Sequence, residues 1–146
     1  MWRHVTLVWN TGSNTVVGYL DGIQVFSEAQ TNWPSTLPAV RMGTGYSSAR
    51  FWNGKLNDVR IYNYARTQKQ IVEDMNAGHP SVGSPVGSAV GYWKFDEGAD
   101  NTCPGGTNDA CNSGSVGSAL DGPQTGMATP ATSTSGWTNS GKFGKA

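Results

Sequence analysis

The stretch that decides the fold is WRHVTLVWNTGSNTVVGYLDGIQVF, residues 2–26. In its first part Val5, Leu7 and Trp9 point to one face and the residues between them to the other, which is the two-residue period of a β-strand. A turn-forming run and a second alternating run follow. Asp21-Gly22 is a hairpin signal, because glycine accepts a positive φ at no steric cost. The stretch predicts three strands, at 4–9, 15–20 and 23–26.

One helix is predicted further along the chain. Thr67 can cap its first turn, and Gln70 stands three residues later, as a capping box requires. An apolar stripe follows, formed by Ile71, Val72 and Met75. The helix is expected to end before Gly78 and Pro80.

Four further segments are assigned from composition and alternation. They are a short strand at 40–43, a longer strand within 51–64, a linker at 79–89 (HPSVGSPVGSA) and a strand at 90–97. Within the strands, we expect Trp2, Trp9 and Trp93 to lie in the core, and Asp58 and Arg60 to lie on a solvated face.

Composition excludes several classes of partner. The net charge is zero and 14% of the residues are charged, so the chain lacks the basic surface that nucleic acid requires. It has no long apolar run, so we expect no insertion into a membrane. Low charge with many glycine, tryptophan and tyrosine residues is typical of an all-β secreted or cell-surface module. Residues 98–146 contain only five large apolar residues, too few to fold without a partner surface.

The two cysteines, Cys103 and Cys111, lie eight residues apart in a loop-like stretch. A disulfide that closes this loop is expected in an oxidising compartment, and two unpaired thiols are the alternative. Two cysteines with no histidine nearby do not supply the four ligands of a zinc site.

Three motifs resemble one family in their order along the chain. They are Trp2-Arg3-His4-Val5, then Tyr19-Leu20-Asp21-Gly22, then Gly54-Lys55-Leu56-Asn57-Asp58-Val59-Arg60-Ile61-Tyr62-Asn63. Together they resemble the C-terminal half of a laminin-G-like, concanavalin A-like domain. The resemblance implies an all-β fold made of partial or permuted jelly-roll sandwich elements with one short helix.

The end of the chain resembles the other half of such a domain. Val90–Gly98 is similar to its opening strand, and Ser140–Ala146 to the approach to its next strand. We therefore interpret 1–78 as the C-terminal half of one domain, 79–89 as a linker, and 90–146 as the N-terminal part of a second. The alternative is a permuted minidomain in which the strand at 90–97 pairs with the one at 56–64. Either version leaves an apolar sheet face uncovered, through which a homodimer or aggregation is expected.

The resemblance also implies binding sites. A lectin-like sandwich binds sugars through loop aromatics and amides, and the candidates are Trp33, Tyr46, Trp52 and Asn53; the alternative is that Trp33 and Trp52 plug the ends of the core. Family members often hold calcium in a Gly-rich loop that here matches 112–118. The candidate calcium ligands are Asp109, Asn112 and Asp121, and the alternative is a plain Gly/Ser loop.

These observations predict a non-catalytic module that binds carbohydrate or protein within a larger secreted or surface protein. The alternatives are a structural spacer in a tandem array and an accessory domain of a glycoside hydrolase. The chain carries no E-x-D-x-x-E strand and no G-x-S-x-G elbow, and Asp96 and Glu97 point to opposite faces of a strand. We therefore expect that it is not an enzyme. Glycan and extracellular protein are the expected partners.

Overall fold

The computed structural model contains two antiparallel sheets. It describes residues 1–33, 40–43, 51–77, 89–97, 102–104 and 109–123. The first sheet has the order β1-β2-β3 and the second pairs β4 with β5. The elements are β1 Val5–Asn10, β2 Thr15–Leu20, β3 Ile23–Ala29, β4 Val59–Ile61, helix α1 Gln68–Asn76, β5 Gly91–Trp93 and a 3-10 helix Gly117–Leu120. The prediction of an all-β fold with one short α-helix is confirmed for the described part of the chain.

The first sheet is a meander held by two tight turns. At the β2–β3 turn Asp21 has φ 50° and Gly22 has φ 78°, the left-handed conformations that a two-residue hairpin loop requires. The Asp21 carboxylate accepts a hydrogen bond from the His4 backbone N–H at 2.9 Å. This bond, together with Arg3, lowers the pKa of Asp21. Pairing of β3 with β2 continues to Ala29, so β3 is longer than predicted.

The two faces of this sheet alternate as predicted, but the apolar face is exposed. Residues that pair across the strands, such as Leu7 with Gly18 and Gly18 with Phe26, point to the same face. Trp9 retains 46% of its surface, so the prediction that it lies in the core is wrong. The buried apolar side chains of the described residues all lie outside the first sheet: Ile71, Ala89, Tyr92, Trp93 and Cys103.

The second sheet is shorter than predicted. β4 and β5 pair only over three residues each, with Val59 opposite Trp93. Asp58 has φ 61° and Phe95 has φ 58°, and this left-handed backbone cannot continue a strand. The strand predicted at 40–43 is also wrong, because Gly43 has φ 78° and turns the chain there.

The helix forms as predicted and contacts the β2–β3 turn of the first sheet. The Thr67 side chain accepts from the Gln70 N–H, and the Gln70 side chain accepts from the Thr67 N–H at 2.9 Å, which completes the capping box. Ile71 is fully buried. The Gln68 side chain donates to the Gly22 carbonyl at 2.9 Å. Helix α1 is therefore anchored at the β2–β3 turn.

Residues 109–123 lie against β5 on the side away from β4. Asn112 forms an isolated antiparallel bridge with Trp93, and the Ser113 N–H donates to the Tyr92 carbonyl at 2.7 Å. The Trp93 indole N–H donates to the Leu120 carbonyl at 3.0 Å. The two predicted halves of the chain are thus joined by backbone hydrogen bonds, while the positions of the domain boundaries stay a prediction.

Candidate functional site

An exposed aromatic loop begins at Phe51. Phe51 and Trp52 retain 72% and 62% of their surfaces, and Asn53 is also exposed. The Trp52 backbone N–H donates to the Gly43 carbonyl at 2.8 Å, which fixes the loop against the preceding turn. A Cβ atom placed on Gly54 would lie 2.7 Å from Trp52 Nε1. The indole therefore folds back over Gly54, and only the lack of a side chain there leaves room for it.

The four predicted sugar-binding residues do not form one described cluster. Trp52 and Asn53 are adjacent and exposed. Trp33 is half-buried, and its indole N–H donates to the Asn14 side chain at 3.3 Å, beside the β1–β2 turn. Tyr46 lies outside the described residues. Trp52 and Asn53 therefore lie together, and Trp33 lies at a different turn. Because Trp52 is exposed, it does not fill an end of the core, which was the alternative.

Two of the three predicted calcium ligands, Asn112 and Asp121, accept hydrogen bonds from backbone N–H groups of β5 and of their own loop. The Asn112 side-chain oxygen accepts from the Tyr92 N–H at 2.6 Å and from the Gly114 N–H at 2.9 Å. One Asp121 oxygen accepts from the Asn112 N–H at 2.6 Å. Asn112 Nδ2 donates to the Gly117 carbonyl at 2.8 Å. These bonds hold residues 112–121 in place against β5.

This donor set fits a calcium ion poorly. Calcium takes six to eight oxygen ligands, whereas the Asn112 oxygen already accepts two backbone N–H groups. Asp121 Oδ2, which is buried without a hydrogen bond, is an oxygen of this set that stays open to a cation, and one such oxygen is far fewer than calcium requires. The described residues contain no group of three or more His, Cys, Asp or Glu side chains placed to hold a metal ion. Calcium at this loop stays a prediction of the resemblance.

Cys103 and Cys111 form a disulfide bond, with their Cα atoms 5.2 Å apart. Glu97 is fastened to the same loop, because its Oε1 accepts from the Cys111 backbone N–H at 3.0 Å. Its other oxygen, Oε2, is buried without a hydrogen bond. Burial raises the pKa of the Glu97 carboxyl. This acid therefore supports the disulfide loop and has no described partner for acid–base chemistry.

A buried charge network stands where the sequence predicts a solvated face, and that prediction is wrong. Arg60 Nη2 lies 2.8 Å from Asp58 Oδ2, and these side chains are only 6% and 13% exposed. The Arg60 guanidinium lies over the Tyr92 ring, 4.9 Å from its centroid. Arg60 also donates to the Asp74 carbonyl at 3.1 Å. The cause is helix α1, which packs against the face that an isolated strand would leave to solvent.

Asp74 is the centre of this network. It accepts from Arg66 and, at 2.9 Å, from the Tyr62 hydroxyl. Burial, with the nearby Asp74 carboxylate, raises the pKa of Tyr62 to about 12. A signal for this network was present in the sequence: Asp74 lies three positions after Ile71, on the apolar stripe of the helix, where a carboxylate needs a buried partner. The network fixes α1 to β4 and is structural.

Comparison with known proteins finds a family match for the first part of the chain. Residues 1–72 match the family described as the concanavalin A-like lectin/glucanases superfamily (Laminin_G_3). This part of the chain, just under half of its length, is similar to that superfamily. The concanavalin A-like segment carries Trp33, Trp52 and Asn53, whereas the disulfide and the predicted calcium ligands lie beyond it.

No curated protein matches the chain. A similar solved structure is that of an S-layer domain-containing protein (residues 221–444) from Clostridium thermocellum ATCC 27405. The identity is 21%, the TM-score is 0.41, and the match covers 49% of this chain and 38% of that chain. The chain thus spans well under half the length of that relative. Within the described residues, neither helix has the length and apolar composition required to cross a bilayer.

Proposed function

We propose that this chain is a non-catalytic recognition module of a larger secreted or surface protein, and that it binds carbohydrate through the Trp52 loop. The exposure of the Trp52 indole, at 62%, is the observation that carries the proposal. A large aromatic ring left in solvent loses the free energy of burial unless a ligand covers it. The superfamily contains lectins and glucanases by name, so the family match does not distinguish binding from catalysis. The residues of the Trp52 loop are the evidence that does.

The chemistry of the loop suits a sugar. The flat indole face of Trp52 offers an apolar platform for the C–H face of a pyranose ring. The adjacent Asn53 amide supplies both a donor and an acceptor for hydroxyl groups. Contact of the indole with the Gly54 backbone limits its rotation, which lowers the entropy lost on binding. An extracellular protein that presents a similar apolar and polar pair is the alternative ligand.

The same loop lacks the groups that hydrolysis requires. Glycosidases flank the scissile bond with two carboxyl groups about 5–9.5 Å apart. Residues 51–57 contain no Asp or Glu, and the next acid, Asp58, is paired with Arg60. A sugar stacked on Trp52 would therefore meet no free general acid from its own loop, which supports binding without catalysis.

The disulfide supports a secreted or surface location. Disulfides persist in oxidising compartments and are rare in the cytosol. Cys103 and Cys111 close a loop that is fastened to β5 through Glu97 and Asn112. The chain therefore has a covalent bond that matches an extracellular environment.

The experiment is a glycan array followed by calorimetry on the sugars that bind, with calcium present and absent. We expect Trp52→Ala to weaken binding by at least about tenfold and Trp52→Phe to retain part of the affinity, because a smaller ring still stacks. Val116→Ala removes exposed apolar surface elsewhere and should bind like the wild type. Binding that is unchanged in Trp52→Ala would place the site elsewhere.

A structural spacer in a tandem array is the second candidate, and a different observation favours it. β5 pairs with β4 along one edge, and β5 with the residues just before it accepts backbone hydrogen bonds from residues 113–116, so backbone hydrogen bonds join the later part of the chain to the first part. If no glycan binds at high concentration with calcium present, the spacer is the better account.

A further inference from the structure

The first sheet carries a continuous apolar face on its exposed side. Cross-strand pairing places its members on one side of β1, β2 and β3. Each keeps between 38% and 69% of its surface in solvent. We call this the apolar sheet face, formed by Val5, Leu7, Trp9, Leu20, Ile23 and Phe26.

The apolar sheet face is larger than scattered surface residues would produce. Its six side chains expose on the order of 600 Å² of apolar surface, which is at the upper end of the largest patch on an ordinary monomer. The strand positions on this face carry one charged residue, Glu28, which lies at the end of the β2–β3 ladder opposite Val16. Such a patch marks an interaction site.

The Phe26 ring covers the middle of the apolar sheet face. Gly18 stands at the centre of the sheet and is buried, because the Phe26 ring from the neighbouring strand lies over it. Leu7 lies opposite Gly18 on the other side. The ring fills the space that a side chain at 18 would occupy, and the register of β2 with β3 shifts just beyond it, between Gly18 and Tyr19.

We propose that the apolar sheet face is the interface of a homodimer, in which two copies of this chain pack face to face about a two-fold axis. In such an interface each residue of one copy meets the same patch of the other, so a charged patch would repel itself while a neutral one does not. Two copies of the face would bury about 1,200 Å² in total, which reaches the lower end of stable interfaces. Two sheets can pack face to face at a separation of about 10 Å.

The test is the mass of the full chain in solution, measured by sedimentation over about two decades of concentration. We expect a monomer–dimer equilibrium in the wild type. Leu7→Lys places a charge in the middle of the face, where each copy would bring a lysine to the interface, and should raise the dimer Kd at least about a hundredfold. Ile23→Thr keeps a residue that favours strands and should raise Kd about tenfold.

Val116→Lys is the matched control, because Val116 is 48% exposed and lies outside the sheet. It should dimerise like the wild type. Circular dichroism of each variant establishes whether it is folded. If Leu7→Lys does not fold, the dimer Kd of Ile23→Thr tests the proposal. A wild type that stays monomeric would overturn the proposal, whether its face is covered by another part of the chain or by a different protein. A dimer that persists in both face variants would overturn it too, because strand edges or another surface would then hold the copies together.

Discussion

Arg66 and Asp74 form a two-bonded ion pair inside the protein. Arg66 Nε donates to Asp74 Oδ2 at 3.0 Å, and Arg66 Nη2 lies 2.6 Å from Asp74 Oδ1. Their side chains are only 4% and 7% exposed. The parallel geometry of guanidinium and carboxylate gives such pairs strength and direction. Because the Tyr62 hydroxyl donates to the same carboxylate and Arg60 Nη1 lies 3.6 Å from Asp74 Oδ1, one carboxylate on α1 holds the helix to β4 and to the residues that follow β4.

We predict that Asp74→Ala destabilises the fold by about 3–5 kcal/mol, because it leaves buried arginine charge without a counterion. Urea denaturation followed by circular dichroism measures the change. The matched control is Glu73→Ala on the next residue. Glu73 is 46% exposed and lies 4.0 Å from Lys69, so its loss should cost at most about 0.5 kcal/mol. Equal losses in the two variants would show that Asp74 is not the centre of a buried network.

Glu97 should make stability depend on pH in the direction opposite to most acids. Burial raises the pKa of its carboxyl in the folded chain, so the folded chain holds this proton to a higher pH than the unfolded chain does. Its contribution to stability is therefore greatest below the unfolded pKa and declines as pH rises through the window up to the raised folded pKa.

Glu97→Gln should remove that decline and be at least as stable as the wild type at neutral pH. The amide oxygen can still accept from the Cys111 N–H, and no charge is buried. Urea midpoints measured from about pH 4 to pH 8 test this. Glu73→Gln, the same change on an exposed helix position, should follow the wild-type curve. A wild-type slope in Glu97→Gln would contradict the prediction.

Gly54→Ala should displace the Trp52 indole without unfolding the protein. The new Cβ would lie 2.7 Å from Trp52 Nε1, and the ring must rotate away because the contact is too short. Gly54 does not have a left-handed φ, so alanine fits its backbone and the stability should change by less than about 1 kcal/mol. The indole N–H resonance of Trp52, assigned by its loss in Trp52→Phe, should shift.

Gly122→Ala is the control for this substitution, because a Cβ there meets nothing within 4 Å. In its spectrum the Trp52 indole N–H resonance should have the same chemical shift as in the wild type. If Gly54→Ala also leaves the resonance unmoved, the indole does not contact Gly54 and is not held in one position for stacking.

Loss of the disulfide should destabilise the chain by about 2.5 kcal/mol, the value expected when a closed loop of this short length is released. Cys103 and Cys111 are eight positions apart. The double variant Cys103→Ser, Cys111→Ser and the reduced wild type should unfold at the same urea concentration. Adding reductant to the double variant should change nothing. A reduced wild type as stable as the oxidised one would show that the loop contributes nothing to stability.

Local patterns of the sequence are sufficient to predict the β1–β3 meander and the helix cap. Asp21-Gly22 imposes its turn through the φ angles that it accepts, and Thr67 and Gln70 bind each other across three residues. Such interactions act within a few positions of the chain, so the sequence alone is sufficient to predict them. Alternation likewise predicted which residues of β1 share a face.

The candidate site was only partly predictable for the same reason. Trp52 and Asn53 were recognised as loop residues, and their exposure agrees. The separation of Trp33 from Trp52 depends on contacts with Asn14 and Gly43, which are distant in sequence from the tryptophans they hold. No periodicity in the sequence encodes such a contact.

Local sequence patterns are therefore sufficient to predict the three strands of the first sheet, the turn between β2 and β3 and the start of the helix. Which face of each element is buried depends on tertiary packing. It placed Asp58 and Arg60 beneath α1 and left Trp9 in solvent, against the expectation from alternation. The physical reason is that a period of two distinguishes two faces of a strand, whereas burial depends on which distant segment packs on each face.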